Sequence, residues 1–275
     1  MAYELTGLDG TVAVVTGAGR MRSIGRPIAV HLARAGCDVV LTGTGRSPSD
    51  YPADEREAGW RDIESVADEV RAEGRQAITA VSDVSDPDAV EALAAAVIEG
   101  FGRIDVLVNN AGASKGDDRK AVTEVDPALW RKVIDVNLNG AFYMSRTFGR
   151  LMVEAGRGGS IVNISSIAGK RLSPFTAAYA ASKAGLQALT ACMAQEAADA
   201  GVRVNAVCPG IVDTSRMDDL GRDETWQQII RANVPLGRAG TGEDIAHIVV
   251  YLCSEQAAWI TGQSWNVDGG SVVQH

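Results

Sequence analysis

Tyr179 and Lys183 stand four positions apart in the Ala-rich run Tyr179-Ala-Ala-Ser-Lys183, and Ser166 lies thirteen positions before the tyrosine in Asn163-Ile-Ser-Ser-Ile-Ala-Gly169. Ala-rich runs favour helix, and helical residues four apart share a face, with Cβ atoms roughly 6 Å apart. One phenol therefore has one ammonium beside it. A positive charge at that range favours the phenolate and draws a tyrosine pKa down from its free value of about 10. That suits a general acid and base. Ser166, expected at the end of a strand, supplies a hydroxyl that can hold a substrate oxygen while Tyr179 moves the proton.

The elements that must position these groups are written as short apolar runs. Thr11-Val-Ala-Val-Val15 reads as a buried parallel strand feeding the tight turn Thr-Gly-Ala-Gly. Ile28, Leu32 and Ala35 then recur at helical spacing up to Gly36, and Val39-Val-Leu41 follows as a second buried strand. Within this β-α-β opening, Gly17, Gly19 and Gly25 let the backbone approach a pyrophosphate, with a helix N-terminus near Gly25 aimed at it. Further strands are expected at 77–81, 104–108, 160–164, 203–207 and 265–267. Asp86-Pro87 and Asp126-Pro127 read as N-cap and first residue of two helices. The first carries Val90, Leu93 and Val97 on its buried face; the second carries Leu129, Val133, Val136 and Gly140, with Asn137 beside that face. Strands alternating with helices predict one domain, 1–275, with a doubly wound seven-stranded parallel sheet covered by helices on both faces.

Composition narrows the function classes. The chain has 275 residues, 46% of them hydrophobic, and carries a formal net charge of −9 with no basic run. Nucleic acid and anionic membrane are poor partners for such a chain. No apolar run approaches the ~18 residues of a membrane span, and the N-terminus lacks a leader pattern, so a cytoplasmic protein is expected. Cys37, Cys192, Cys208 and Cys253 lack metal-site or C-x-x-C spacing and read as reduced core residues. The histidines, His31, His247 and His275, lack ligand spacing, and no metal is expected.

Ser166, Tyr179 and Lys183 at this spacing resemble the catalytic group of the short-chain dehydrogenase/reductase family. Other stretches match it in order: Asn109-Asn-Ala-Gly112, Val136-Asn-Leu-Asn-Gly140, Pro209-Gly-Ile-Val-Asp-Thr214, and Ile260-Thr-Gly near Val267-Asp-Gly-Gly270. The resemblance spans almost the whole chain. It implies a single-domain Rossmann fold that moves a hydride between C4 of a nicotinamide and a carbonyl or secondary alcohol carbon. Tyr179 is then the acid and base, Ser166 binds the reacting oxygen, Lys183 also holds the nicotinamide ribose, and Asn137 holds a water that relays protons to solvent. Cofactor contacts carried over are Gly17, Gly19, Arg20, Ser23, Ile24 and Gly25 along the loop, Asp83 and Val84 at the adenine, and Asn109, Ala111 and Gly112 at the adenine ribose. Pro209, Gly210, the Ile211 backbone and the Thr214 hydroxyl belong to the carboxamide side, and residues 213–235 to a substrate lid whose Met217, Trp226 and Ile230 set substrate shape. The helices of Asn137 and Tyr179 imply a homotetramer, with Ala184, Ala188 and Ala191 permitting close helix approach.

The glycine loop departs from the family's common form. It is two residues longer, with Ser23 in place of the middle glycine, and so resembles the enoyl reductase branch; the four-residue Tyr-to-Lys spacing sides with the main branch. Residues 45–60 exceed the family's usual link and read as a solvated surface loop, with a cofactor cover as the alternative. After the second strand comes Leu41-Thr-Gly-Thr-Gly-Arg46, with no Asp or Glu before Asp50. Nothing there repels a 2′-phosphate. Thr44, Arg46, Arg20 and Arg22 can bind one, so NADP(H) is expected over NAD(H). The expected substrate is a small-molecule ketone or alcohol. A 3-oxoacyl-[acyl-carrier-protein] reductase is the alternative, but its basic docking pair is half missing: Arg157 matches, while Ala200, next to Asp199, does not. A non-catalytic nucleotide-binding protein is a remote reading, since Asn137, Ser166, Tyr179 and Lys183 are all present.

Overall fold

The structure is a computed structural model and describes residues 4–273. Its elements run β1 (Val12–Val15), α1 (Gly25–Arg34), β2 (Asp38–Gly43), α2 (Ala53–Glu57), α3 (Ile63–Ala72), β3 (Ala77–Val81), α4 (Pro87–Phe101) and β4 (Val106–Asn109). Then follow α5 (Pro127–Ile134), α6 (Gly140–Ala155), β5 (Gly159–Ile164), α7 (Ala177–Glu196), β6 (Val202–Pro209), α8 (Glu224–Asn233), α9 (Gly242–Cys253) and β7 (Ser264–Val267). The strands form one sheet in the order β3-β2-β1-β4-β5-β6-β7. Every pairing is parallel. The order reverses between β1 and β4, and open α/β sheets bind ligands outside the carboxyl ends of the strands at such a point.

Alternation along each strand divides the core. Ala13, Val15, Val39 and Leu41 face α1, α3 and α9, where Ile28, Leu32, Val66, Val70, Ile245 and Val249 meet them. Val12, Val14, Val40 and Leu107 face the other way, onto Val90, Met144 and Phe148 of α4 and α6. Both faces of the sheet are covered, which is why its strands read as continuous apolar runs. Asp86 and Asp126 cap α4 and α5 as expected, accepting from Asp88 N and Ala128 N with proline at the first helical position.

Three expectations change. The helix after Asp126 is not uniform: between α5 and α6 the residues Asp135–Asn139 form a π-helical segment that contains Asn137. Such single-turn bulges frequently mark functional sites. Cys37, Cys208 and Cys253 are buried, but Cys192 lies exposed on α7. Residues 45–60 are mostly exposed, as a surface segment would be, but they are not uniformly so. They hold a short 3-10 turn and α2, and they bury Tyr51 and the carboxylate of Glu55.

Candidate active site

The expected catalytic residues gather where β5 gives way to α7. Past β5, the Ser165 backbone N–H donates to Val207 O of β6 at 2.7 Å. The Ser165 hydroxyl donates to Lys183 O at 2.9 Å, and Gln187 Nε2 donates to Ser165 Oγ and Ser166 O. Gly169 makes this docking possible: a Cβ there would come within 2.8 Å of the Ala184 backbone nitrogen. Ser166 Oγ accepts from Ala168 N at 3.1 Å, which fixes its direction.

Lys183 is buried, and its Nζ donates to Ile164 O at 2.8 Å. Burial, and after it the charge of Arg216, pushes this amine down to about 7. Lys183 Nζ lies 5.9 Å from the centre of the Tyr179 ring. Among the described residues the Tyr179 hydroxyl has no hydrogen-bond partner. Asn137 ties the site together: its Oδ1 accepts from Ala113 N at 2.8 Å, and its Nδ2 donates to Ser182 Oγ at 3.0 Å. Ser182 Oγ in turn donates to Tyr179 O. One side chain in the π segment thus holds both the loop after β4 and the start of α7.

The loop from Thr16 to Gly25 sits at the sheet's reversal point. Asn110 Nδ2 donates to Thr16 O and Gly17 O, while Thr16 Oγ1 accepts from Asn110 N and Ala111 N. The glycines are demanded by close approach: a Cβ at Gly17 would meet Ala111 Cα at 2.8 Å, and one at Gly25 would meet Asn110 Nδ2 at 2.5 Å. Ser23 Oγ bonds Arg20 O and accepts from Arg26 N, and Ile24 precedes α1, whose first turn carries no acid. That helix start suits a pyrophosphate. Of the other expected cofactor residues, Asn109 is buried between Ser145 and Asn163, and its Oδ1 lacks a partner. Asp83 is exposed and accepts from Ser85, Val84 packs on Gly140, and Gly112 approaches Asn137 Oδ1. On the carboxamide side Pro209 ends β6, Gly210 lies against Asp268, Ile211 O accepts from Gly240 N, and Thr214 is buried.

Residues 45–62 close over this loop. Trp60 Nε1 donates to Gly19 O at 2.6 Å, and Glu55 Oε1 accepts from Met21 N at 2.9 Å. Arg46 pairs with Glu55 at 2.8 Å and Asp62 at 3.0 Å, and its guanidinium stacks on Tyr51. Asp62 holds a backbone conformation rare for a non-glycine residue, φ 53° and ψ −130°. Its carboxylate lies directly on Gly19, where a Cβ would fall 1.6 Å from Oδ1. Arg22 pairs with Asp54 and Asp218, and Ser215 N donates to Arg22 O, so one residue joins the glycine loop, the 45–62 segment and the lid. Arg20 makes no ion pair among the described residues; burial, and then Arg46, lowers its pKa. Thr44 is exposed.

The segment expected to form a lid holds a 3-10 turn, Ser215–Leu220, followed by α8. Trp226 and Ile230 are buried with Val234, and Ile211, Met217 and Leu220 pack against them. Trp226, Ile230 and Val234 thus form a small core of their own within residues 213–235. Two arginines that sequence reading did not single out stand at Tyr179. The Arg119 guanidinium lies 4.6 Å from the ring centre, and that of Arg216, from the lid, 5.1 Å. Asp62, Glu55, Asn110 and Thr16 were missed as well. Thr16-Gly17 and Asn109-Asn110 were visible as motif neighbours; the others carried no local signal.

A parallel seven-stranded sheet with a glycine loop at its reversal point and Tyr179, Lys183 and Ser166 beyond β5 defines a Rossmann-type dehydrogenase. The chain belongs to the short-chain dehydrogenase/reductase family: residues 17–272 match the family model described as Enoyl-(Acyl carrier protein) reductase. It is 37% identical over 98% of its length to the whole of a 3-oxoacyl-[acyl-carrier-protein] reductase from Synechocystis. It is 39% identical to an L-rhamnose 1-dehydrogenase (NAD(P)(+)) from Azotobacter vinelandii, over 97% of this chain and 98% of that one. A solved short-chain type dehydrogenase/reductase from Mycobacterium marinum superposes with a TM-score of 0.81 at 28% identity, covering 97% of each chain. The protein is a nicotinamide-dependent oxidoreductase acting on CH–OH groups.

Proposed function

We propose that Tyr179, Ser166, Lys183 and Asn137 interconvert a ketone and a secondary alcohol on a freely diffusing small molecule. The observation that carries this reading is the unpartnered Tyr179 hydroxyl on α7, with Lys183 buried one turn further along and Ser166 held rigidly at the end of β5. A bound nicotinamide supplies or accepts the hydride. Tyr179 gives a proton to the reacting oxygen or takes it, and Ser166 Oγ holds that oxygen. An ammonium has three donors; Lys183 spends one on Ile164 O, leaving others for a ribose hydroxyl. The Asn137 side chain is committed to Ala113 and Ser182, so its part in a proton relay falls to the main chain of the π segment. We take 1–275 as one catalytic unit with 213–235 as its lid.

At the adenosine end we read the charges as favouring NAD(H) over the expected NADP(H). Arg22 and Arg46 are committed to carboxylates, and Asp62 places an acid beside Gly19 and Gly43 at the end of β2. An acid there holds a ribose 2′-hydroxyl and repels a 2′-phosphate. We therefore read the preference as NAD(H), with Asp62 standing in for the acid that β2 lacks.

The carrier-protein reading is supported by relatives named for it. Against it, the loops of Gly158 and Gly201 adjoin, so the exposed Arg157 has the acid Asp199 close by where a second docking cation is needed. A homotetramer is supported by the exposed Trp130 and Phe142 of α5 and α6 and the exposed Ala188 of α7. A cytoplasmic location is supported by the four free cysteines.

A screen of ketones and alcohols, following nicotinamide absorbance with each cofactor, tests the activity. Turnover of small ketones is expected, and its absence across the set would overturn the reading. Light scattering on the same sample should give four chains of 28.8 kDa each; the mass of one chain would refute the tetramer.

A further inference from the structure

Two guanidiniums converge on the Tyr179 ring from different segments. Arg119 comes from the loop after β4, and Arg216 from the lid. Like charges placed this close repel, and burial makes the cost larger. Little around them offsets it. Arg216 donates to Ala113 O and makes no ion pair among the described residues. Arg119 has one carboxylate, Asp118, at 3.4 Å from Nε, and that Nε is buried without a hydrogen bond. Asp118 Oδ1 accepts instead from Gly116 N. The nearby lid carboxylates are taken elsewhere: Asp219 by Lys115, and Asp213 by Arg222. The neighbourhood thus holds two guanidiniums and one weakly placed acid, around the ring that carries the proposed acid and base.

Resting on the ketone and alcohol reading above, we infer that Arg119 and Arg216 form an anion subsite and that the substrate is an oxo or hydroxy acid, its carboxylate close to the reacting carbon. Guanidinium forks match carboxylates in charge and geometry, and hydrogen bonds of this kind are shorter and stronger than neutral ones. Because Arg216 rides on the lid, a bound carboxylate gives the lid a charge contact that a neutral ketone cannot. The same subsite disfavours a carrier thioester, which is neutral at the position of the acid.

The test uses matched probes on the full chain with saturating cofactor: acetoacetate against methyl acetoacetate, and dihydroxyacetone phosphate against dihydroxyacetone. The acid should be reduced with a kcat/KM about tenfold or more above its ester, the worth of a charge-assisted hydrogen bond. In Arg119→Gln and Arg216→Leu the acid-to-ester ratio should fall toward one, through KM for the acid, with cofactor affinity retained. A larger preference in the phosphate pair than in the carboxylate pair would overturn the carboxylate assignment. Equal losses for acid and ester would show that the arginines act through Tyr179 and would overturn the subsite. Calorimetric titration of the cofactor complex with acetoacetate and its ester separates this from the underlying reading. Binding of the acid alone, lost in both variants, upholds the subsite even without turnover. Reduction of esters with no preference for acid in rate or binding keeps the function and overturns the subsite.

Discussion

The two ends of the cleft hold the same side chain in opposite circumstances. At the adenosine end Arg46 is shielded by Glu55 and Asp62 and covered by Tyr51. At the end nearer Tyr179, Arg119 has one loosely placed carboxylate, Asp118, and Arg216 has none among the described residues. Neutralised arginines build structure; arginines left with excess charge leave room for an anion. The difference teaches that the count of partners, rather than the presence of a guanidinium, decides whether a basic residue reads as binding phosphate or carboxylate.

The comparison breaks most sharply at the tyrosine between the substrate-end arginines. Tyr179→Phe should lower turnover by at least about a hundredfold, since general acid and base catalysis contributes about 10²–10⁴, while calorimetric binding of the cofactor stays near that of the native chain. Near-normal turnover would remove Tyr179 from the chemistry. The next contrast is in stability. Glu55 is only 1% exposed, so Glu55→Ala leaves Arg46 short of its partner and should destabilise by about 3 kcal/mol, the low end for breaking a buried pair. Arg216→Leu, by relieving repulsion, should leave the urea midpoint unchanged or raise it. Equal losses in the two variants would mean that both arginines are structural.

Cofactor discrimination sharpens the adenosine end. Asp62→Ala removes the acid that would repel a 2′-phosphate and frees one side of Arg46, so the ratio of NADPH to NADH affinity should rise about tenfold, the scale of one charge-assisted bond. An unchanged ratio would leave Asp62 a purely structural partner. The smallest effect is a slope with pH. Lys183 is pushed down to about 7, so between there and the unfolded value of 10.5 the folded chain binds fewer protons than the unfolded one. Stability should rise with pH across that window. Urea titrations of wild type and Lys183→Met should converge as the pH rises toward 10.5, with the native chain the more pH-dependent; parallel lines would show the amine to be charged in the fold.

The sheet, and the placing of Tyr179 and Lys183 on one helix, were legible because each rests on a local signal. Buried parallel strands are continuous apolar runs, Asp86 and Asp126 announce their helices, and Tyr179 and Lys183 share a face by spacing alone. Within residues 45–60 the two buried side chains, Tyr51 and Glu55, were not legible, for a physical reason. Glu55 is buried against Arg46, and a segment rich in Asp, Glu and Arg looks solvated throughout until such partners are known. Trp226 and Ile230 show the reverse, as apolar residues of a charge-rich segment that pack into its own small core. Arg119 and Arg216 are ninety-seven positions apart in the chain, and only the lid's placement over the loop after β4 brings them to one ring.

Arg22 makes three segments answer to the composition of the solvent. Its pairs with Asp54 and Asp218 are a third or more exposed, and exposed charges are screened as ions are added. Dissolved salt should therefore loosen the ionic strap from the glycine loop to residues 213–235 while leaving the apolar anchor at Trp226 untouched. Residues 213–235 thus have an apolar anchor that ionic strength cannot reach and exposed ion pairs, to Arg22 and Lys115, that it can.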